Sequence, residues 1–70
     1  MNVFDAIENN FTYHAPKGDQ TKRYEEIRSL AKNLALQIDK MCPDSREKYI
    51  AIERIEEAVM WANASIARNE

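Results

Sequence analysis

Glycine is nearly absent: Gly18 is the only one in the chain, so a glycine-rich phosphate loop cannot be built. Cysteine and histidine are as scarce. Cys42 and His14 are single and twenty-eight residues apart, which excludes an internal disulfide and leaves too few ligands for a structural zinc site. One free thiol also argues for a reducing compartment. No run approaches the roughly twenty apolar residues of a membrane span, and Met1-Asn-Val-Phe-Asp-Ala-Ile7 is too acidic and too short in apolar character for a signal peptide. A soluble, cytoplasmic protein is expected. Strong charge of one sign is missing too. A formal net charge of −2 and a pI of about 5.4 do not favour duplex DNA or an anionic membrane, so neither a nucleic acid polymer nor a membrane is an expected partner. An anionic ligand would have to be small and met by a local basic cluster.

What is present is helical periodicity. Seventy residues make one small domain, whose lone core would be marginal. With disulfide and metal excluded, self-association is the remaining support. Gly18, Pro16 and Pro43 divide the chain into a short helix within residues 1–10, an ordered linker at 11–18, helix two at 19–42 and helix three at 44–68. Val3, Phe4 and Ile7 give the first piece its apolar side, and Pro16 keeps Ala15 out of helical geometry. Asp19 is the expected N-cap of helix two, and Tyr24, Ile27, Ala31, Leu34, Ile38 and Met41 follow with heptad spacing. Cys42-Pro43 stops that helix. Asp44 is the expected cap of helix three, with Glu47 completing a capping-box arrangement. Ile52, Ile55, Val59, Ala62 and Ile66 then share one face at about 100° per residue. So short a connection makes the long helices antiparallel. The expected fold is all-α, a short helix plus a long helical hairpin.

Some apolar residues fit neither seam. Leu36 points away from its own stripe, and Tyr49, Ile50, Met60 and Trp61 lie off the stripe of helix three. Trp61 is more than about 100° from that stripe's centre, in line with Glu57 and Arg68. Five such residues on a hairpin point to subunit contacts and a homo-oligomer.

No catalytic constellation is legible, and no enzyme, metal or cofactor is expected. His14 reads as a hydrogen-bonded linker residue, Cys42 as a small helix-end filler, and most glutamates as solvated faces, with Glu25 near Arg28 and Glu26 near Lys22. A binding site is easier to assemble. Phe11, Tyr13 and His14 precede Lys17, Lys22, Arg23 and Arg28. Aromatic rings stack on nucleobases for about 1–3 kcal/mol per base, arginine meets phosphate bidentately, and the start of helix two adds a dipole end that favours anions. Tyr13 with Arg28 is therefore a workable pair for a small nucleotide, and Lys32 extends the basic set. Spacing alone favours the plainer reading, a linker packed on the hairpin with its cations in water. Arg68, seven residues after Trp61, suits a phosphate contact or a plain helix terminus.

Four segments together resemble a known family: Phe11-Thr-Tyr-His-Ala-Pro-Lys17; Arg23-Tyr-Glu-Glu-Ile-Arg28 with Ala31-Lys32 and Leu34-Ala35; Cys42-Pro-Asp-Ser-Arg-Glu-Lys48; and Glu56 to Glu70. They are similar to the phage anti-CBASS sponges, small proteins that sequester cyclic oligonucleotide signals of bacterial antiphage defence. The resemblance implies a short helix and hairpin assembled as a hexamer in the cytoplasm of the infected host. It implies cyclic dinucleotides such as cyclic GMP-AMP held between protomers, cyclic trinucleotides at separate sites, and no cleavage of either. Carried over by residue, Tyr13 would stack on a base and Arg28, where lysine is expected in some relatives, would contact phosphate. Arg68 best matches the trinucleotide contact. Two other classes compete: a helical adaptor or antitoxin-like module that docks a protein on the Trp61 face, and a transcription regulator, which the acidic charge disfavours.

Overall fold

The computed structural model describes residues 2–70 as three helices: α1 (Val3–Asn10), α2 (Gln20–Met41) and α3 (Arg46–Asn69). Asn2 caps α1, its Oδ1 accepting the Asp5 N–H at 2.8 Å. Residues 11–18 form an extended linker, and Gly18 supplies the turn before α2 with φ +56°, a left-handed geometry that costs side-chain-bearing residues about 1–2 kcal/mol. Asp19 is the N-cap residue of α2 as the sequence suggests, but without its side-chain bond, and the cap of α3 is shifted by one residue. Asp19 has φ −90° and ψ 10° rather than extended backbone, so its carboxylate makes no capping bond. It instead accepts from Arg23 Nε at 3.1 Å. At α3 the cap is Ser45, one residue after Asp44; its backbone is extended and its Oγ accepts the Lys48 N–H at 3.1 Å. Asp44 turns outward to Lys48 Nζ, 2.8 Å away.

Helices α2 and α3 pack antiparallel. Ile52, Ile55, Val59, Ala62 and Ile66 are half-buried as their period requires, opposite Tyr24, Ile27, Ala31, Ala35 and Ile38. Leu34 and Met41 are not in that seam; they are 52% and 71% exposed. A straight helix of 3.6 residues per turn drifts about 20° per heptad from a 3.5 repeat, so by the middle of α2 position 35 faces the partner and position 34 has rotated out. The expected i,i+3 and i,i+4 pairs Glu25–Arg28 and Glu26–Lys22 are not among the ion pairs of the described residues.

The hairpin is tied at both ends. At the turn, Lys48 Nζ reaches Asp39 Oδ1 (2.7 Å), the Asp39 carbonyl (2.8 Å) and Asp44. These contacts raise the lysine pKa and lower that of Asp44. At the open end, Arg23 holds Glu70 through two hydrogen bonds of 2.8 and 2.5 Å. Gln20, 4% exposed, accepts the Lys17 N–H and donates to Glu70, each at 3.1 Å. Polar residues at a helix start ordinarily face water, so no pattern in the chain pointed to this knot.

The Arg23 hydrogen bonds, then the one from Gln20, hold the Glu70 carboxyl at about 2 against an ordinary 4.5. A carboxyl depressed by folding contributes stability above its unfolded value and loses it as pH falls through its folded one. The thermal midpoint is therefore expected to drop between pH 4.5 and about 2, and E70Q should remove that part of the acid dependence in a circular-dichroism melt. High salt should shrink the effect, since both side chains are partly exposed.

Among the described residues no apolar side chain is fully buried. The radius of gyration is 15.3 Å where a globule of this length would have about 11 Å, and the thinnest dimension is 15 Å. The described residues form a single helical layer whose broad faces they leave uncovered. No helix of the described residues is long and apolar enough to cross a membrane.

Candidate functional site

The linker crosses the open end of the hairpin and is pinned on both sides of Tyr13. Thr12 Oγ1 donates to the Glu8 carbonyl. His14 Nε2 lies 2.8 Å from the Asn9 carbonyl, an oxygen that only accepts, so this nitrogen carries the proton. Asn9 Nδ2 in turn donates to the Arg68 carbonyl at 3.0 Å, fastening α1 to the last turn of α3. His14 thus has the hydrogen-bonded linker role its sequence setting suggests. Tyr13, between these anchors, keeps its ring 82% exposed and is not packed on the hairpin.

Beneath the linker lies a cleft of about 440 Å³, within the usual size range of small-molecule sites. Thr12, Tyr13 and His14 form one wall; Tyr24 and Arg28 of α2 form another; Met60, Asn63, Ala64, Ala67 and Arg68 of α3 complete it. The floor is low because Ala64 and Ala67 are small. No carboxylate lines it, so a protein of net charge −2 presents a locally cationic, aromatic-rimmed surface here. The α3 face that carries the cleft is read from the sequence only with difficulty: Asn63, Ala64 and Ala67 have no charge or ring to single them out.

Of the residues that sequence reasoning singled out, Tyr13, His14, Arg28 and Arg68 come together in this cleft. Phe11, Lys17 and Lys32 do not line it. Phe11 is the C-cap residue of α1 and points to solvent, Lys17 lies at the Gln20–Glu70 knot, and Lys32 lines a separate groove with Arg28 and Glu56. At the start of α2, Arg23 is already paired with Asp19 and Glu70. Arg68 also borders a second groove, with Glu57, Met60, Trp61 and Ala64; its Cζ stands 6.0 Å from the Trp61 ring centroid, within cation–π range.

Leu36, Tyr49, Met60 and Trp61 are exposed, while Ile50 is half-buried within the protomer. A further apolar groove was not anticipated as a face of its own. It runs between α2 and α3 and is lined by Ile27, Leu30, Ala31, Leu34, Ile55, Ala58, Val59 and Ala62, without a charged residue. Cys42 sits at the far end of α2, about 20 Å from Arg28 at 1.5 Å per residue. Among the described residues no cluster of three or more His, Cys, Asp or Glu could hold a metal.

The hairpin with its N-terminal helix is also what the family comparison picks out: a family model described as Acb2/Tad1, hairpin domain, matches residues 5–67. The chain belongs to the Acb2/Tad1 hairpin family. These are the anti-CBASS sponges, binding proteins rather than enzymes. The matched range takes in most of α1, the linker with Tyr13, all of α2 and nearly all of α3, so every residue lining the cleft except Arg68 falls inside it. No curated protein and no solved structure matches the chain.

Proposed function

We propose that this chain sequesters cyclic oligonucleotides, cyclic dinucleotides such as cyclic GMP-AMP foremost, and releases them unchanged. Held on the protein in the cytoplasm of an infected bacterium, the signal fails to reach the antiphage effector. Family membership supports the reading, and one observation carries it onto particular residues: an exposed Tyr13 ring shares an acid-free cleft with Arg28 and Arg68. The ring offers a stacking platform, and the two guanidinium groups offer planar donors to the phosphates. With His14 Nε2 committed to Asn9 and no carboxylate on the walls, the cleft is built to hold rather than to hydrolyse. Arg68 lines both this cleft and the Trp61 groove, and in this reading it also contacts a cyclic trinucleotide.

A hexamer supplies what the protomer lacks. A closed ring or stack of more than two copies needs more than one self-complementary patch, or two different ones, on every subunit. The Leu30–Leu34 groove and the Trp61–Met60 groove are two such patches on separate faces. Covering them would bury the apolar side chains that a lone hairpin leaves in water and enclose the open cleft, where desolvated phosphate contacts strengthen.

Titration calorimetry with cyclic GMP-AMP, followed by chromatography of the released ligand, tests the function. Binding at micromolar concentration or tighter and recovery of intact cyclic GMP-AMP are expected. Absence of heat with cyclic GMP-AMP and with every other cyclic di- and trinucleotide tried would sink the sponge reading. A second reading draws on the 63% exposure of Trp61: an adaptor that docks a protein on that face. A solution mass near six protomers separates the two, because an adaptor with an open Trp61 face would run as a monomer or dimer.

A further inference from the structure

Asn9 serves three parts of the chain at once. Its side-chain Nδ2 donates to the Arg68 carbonyl at 3.0 Å, and its main-chain carbonyl accepts from His14 Nε2 at 2.8 Å. It thereby joins α1, the linker and the last turn of α3, yet it does not itself line the cleft. A helix leaves its last carbonyls without partners inside the helix. At α1 two of these, Glu8 and Asn9, are taken up by Thr12 and His14, the residues on either side of Tyr13. Apolar packing does little to hold α1 in place. Val3, Phe4 and Ile7 are 76%, 68% and 51% exposed, and a helix of eight residues is marginal unless something docks it. Among the described residues, the hydrogen bond from Asn9 to Arg68 is the one that ties α1 to α3.

We infer that Asn9 is a positioning residue of the cleft: it fixes Tyr13 opposite Arg68 without touching the ligand. The assignment rests on the sponge reading, in which a base lies on Tyr13 and a phosphate meets the arginines. A ligand that uses both walls finds them already set, and its affinity is not reduced by the cost of ordering the linker. With the Asn9 bonds broken, the ligand has to order the linker itself. The apparent affinity then falls in proportion to the fraction of time that Tyr13 is in place. One hydrogen bond of ordinary net strength shifts such an equilibrium about fivefold, and a pocket shared by two protomers would lose two.

Calorimetry with cyclic GMP-AMP tests this on a set of variants, with solution mass measured in parallel. N9A should weaken binding by about 5- to 25-fold at unchanged mass. N9D keeps the size of the side chain but replaces its N–H donor with a second acceptor, so it should lose at least as much as N9A. The second half of the latch is read at position 14. H14A should weaken binding, and H14Q should restore most of the loss, because the glutamine amide nitrogen reaches as far as imidazole Nε2 and can donate to the Asn9 carbonyl. H14N, whose amide reaches only as far as Nδ1, should not restore it. N9A and N9D proteins that bind as the wild type does would overturn the inference, as would a fall in mass that tracks the loss of affinity. Rescue by H14N in place of H14Q would overturn it as well, by making the other ring nitrogen a ligand contact. Should N9A fail to fold, the comparison of H14Q with H14N decides the matter. If the wild type binds cyclic GMP-AMP and the Asn9 variants match it, the positioning role alone falls; if the wild type binds no cyclic oligonucleotide, the sponge reading falls with it.

Discussion

Y13A is expected to weaken cyclic dinucleotide binding by about 1,000-fold and to leave the solution mass and helical signal unchanged. Stacking a base on an aromatic ring contributes about 1–3 kcal/mol. A cyclic dinucleotide has two bases, and in a pocket shared by two protomers each copy presents its own Tyr13, so about 4 kcal/mol is removed at once, or three orders of magnitude in affinity. The ring is 82% exposed and its neighbours Thr12 and His14 are anchored through their own hydrogen bonds. Its loss therefore leaves no hole in the protomer. Y13F should bind nearly as well as the wild type, since the π-face and not the hydroxyl is used. R28A is expected to reduce affinity to a similar degree and R28K to restore much of it, because charge survives while the bidentate fork is lost. Calorimetry of the four variants, with mass measured in parallel, checks the set. A Y13A protein that binds within a few fold of the wild type would remove Tyr13 from the site.

L34E should break the assembly into smaller species, and those species should lose much of their helix content. Leu34 lies in a groove without a charged residue. Covering it by a second copy would bury a side chain worth about 1.5–3 kcal/mol, whereas a carboxylate there would cost several kcal/mol more to desolvate. The consequence reaches beyond association. With no apolar side chain among the described residues fully buried, a lone hairpin has little to balance its conformational entropy, as is usual for proteins whose folding and assembly are one equilibrium. Light scattering and circular dichroism read both effects. Ligand binding should fall with them. An undiminished mass in L34E would mean that this groove faces solvent and that other surfaces join the copies.

Leu34 also marks where sequence reasoning reached its limit on the fold. The helices and their antiparallel arrangement were legible, because apolar period, proline and glycine act locally and strongly. The finer register was not. A heptad read from spacing assumes a supercoil, and over the length of α2 the straight-helix drift moved the seam from Leu34 to Ala35. The cap of α3 differed for a related reason. Asp44 and Ser45 are both good capping residues by type, and the choice fell to the one with extended backbone, while Lys48 drew Asp44 away.

The candidate site divides in the same manner. Tyr13, Arg28 and Arg68 could be singled out as candidates from the chain alone, since rings and guanidinium groups have distinctive chemistry, but which candidates share a cleft could not. Gln20 and Asn63 could not be singled out. One is a buried knot at a helix start and the other an unpaired amide on a cleft floor, and burial of a polar group depends on what comes to cover it from distant parts of the chain.

By itself, then, the amino-acid sequence determined an all-α hairpin with more apolar surface than two helices can share, and it marked the aromatic and basic residues of its first half. The tertiary structure decided which of them meet. It brought the linker over the end of α3 through Asn9, Gln20 and Arg23, and so placed Tyr13 and Arg68, far apart in the chain, on one cleft. Helical period is a property of neighbours in sequence, whereas a cleft forms only where segments remote in sequence are held together.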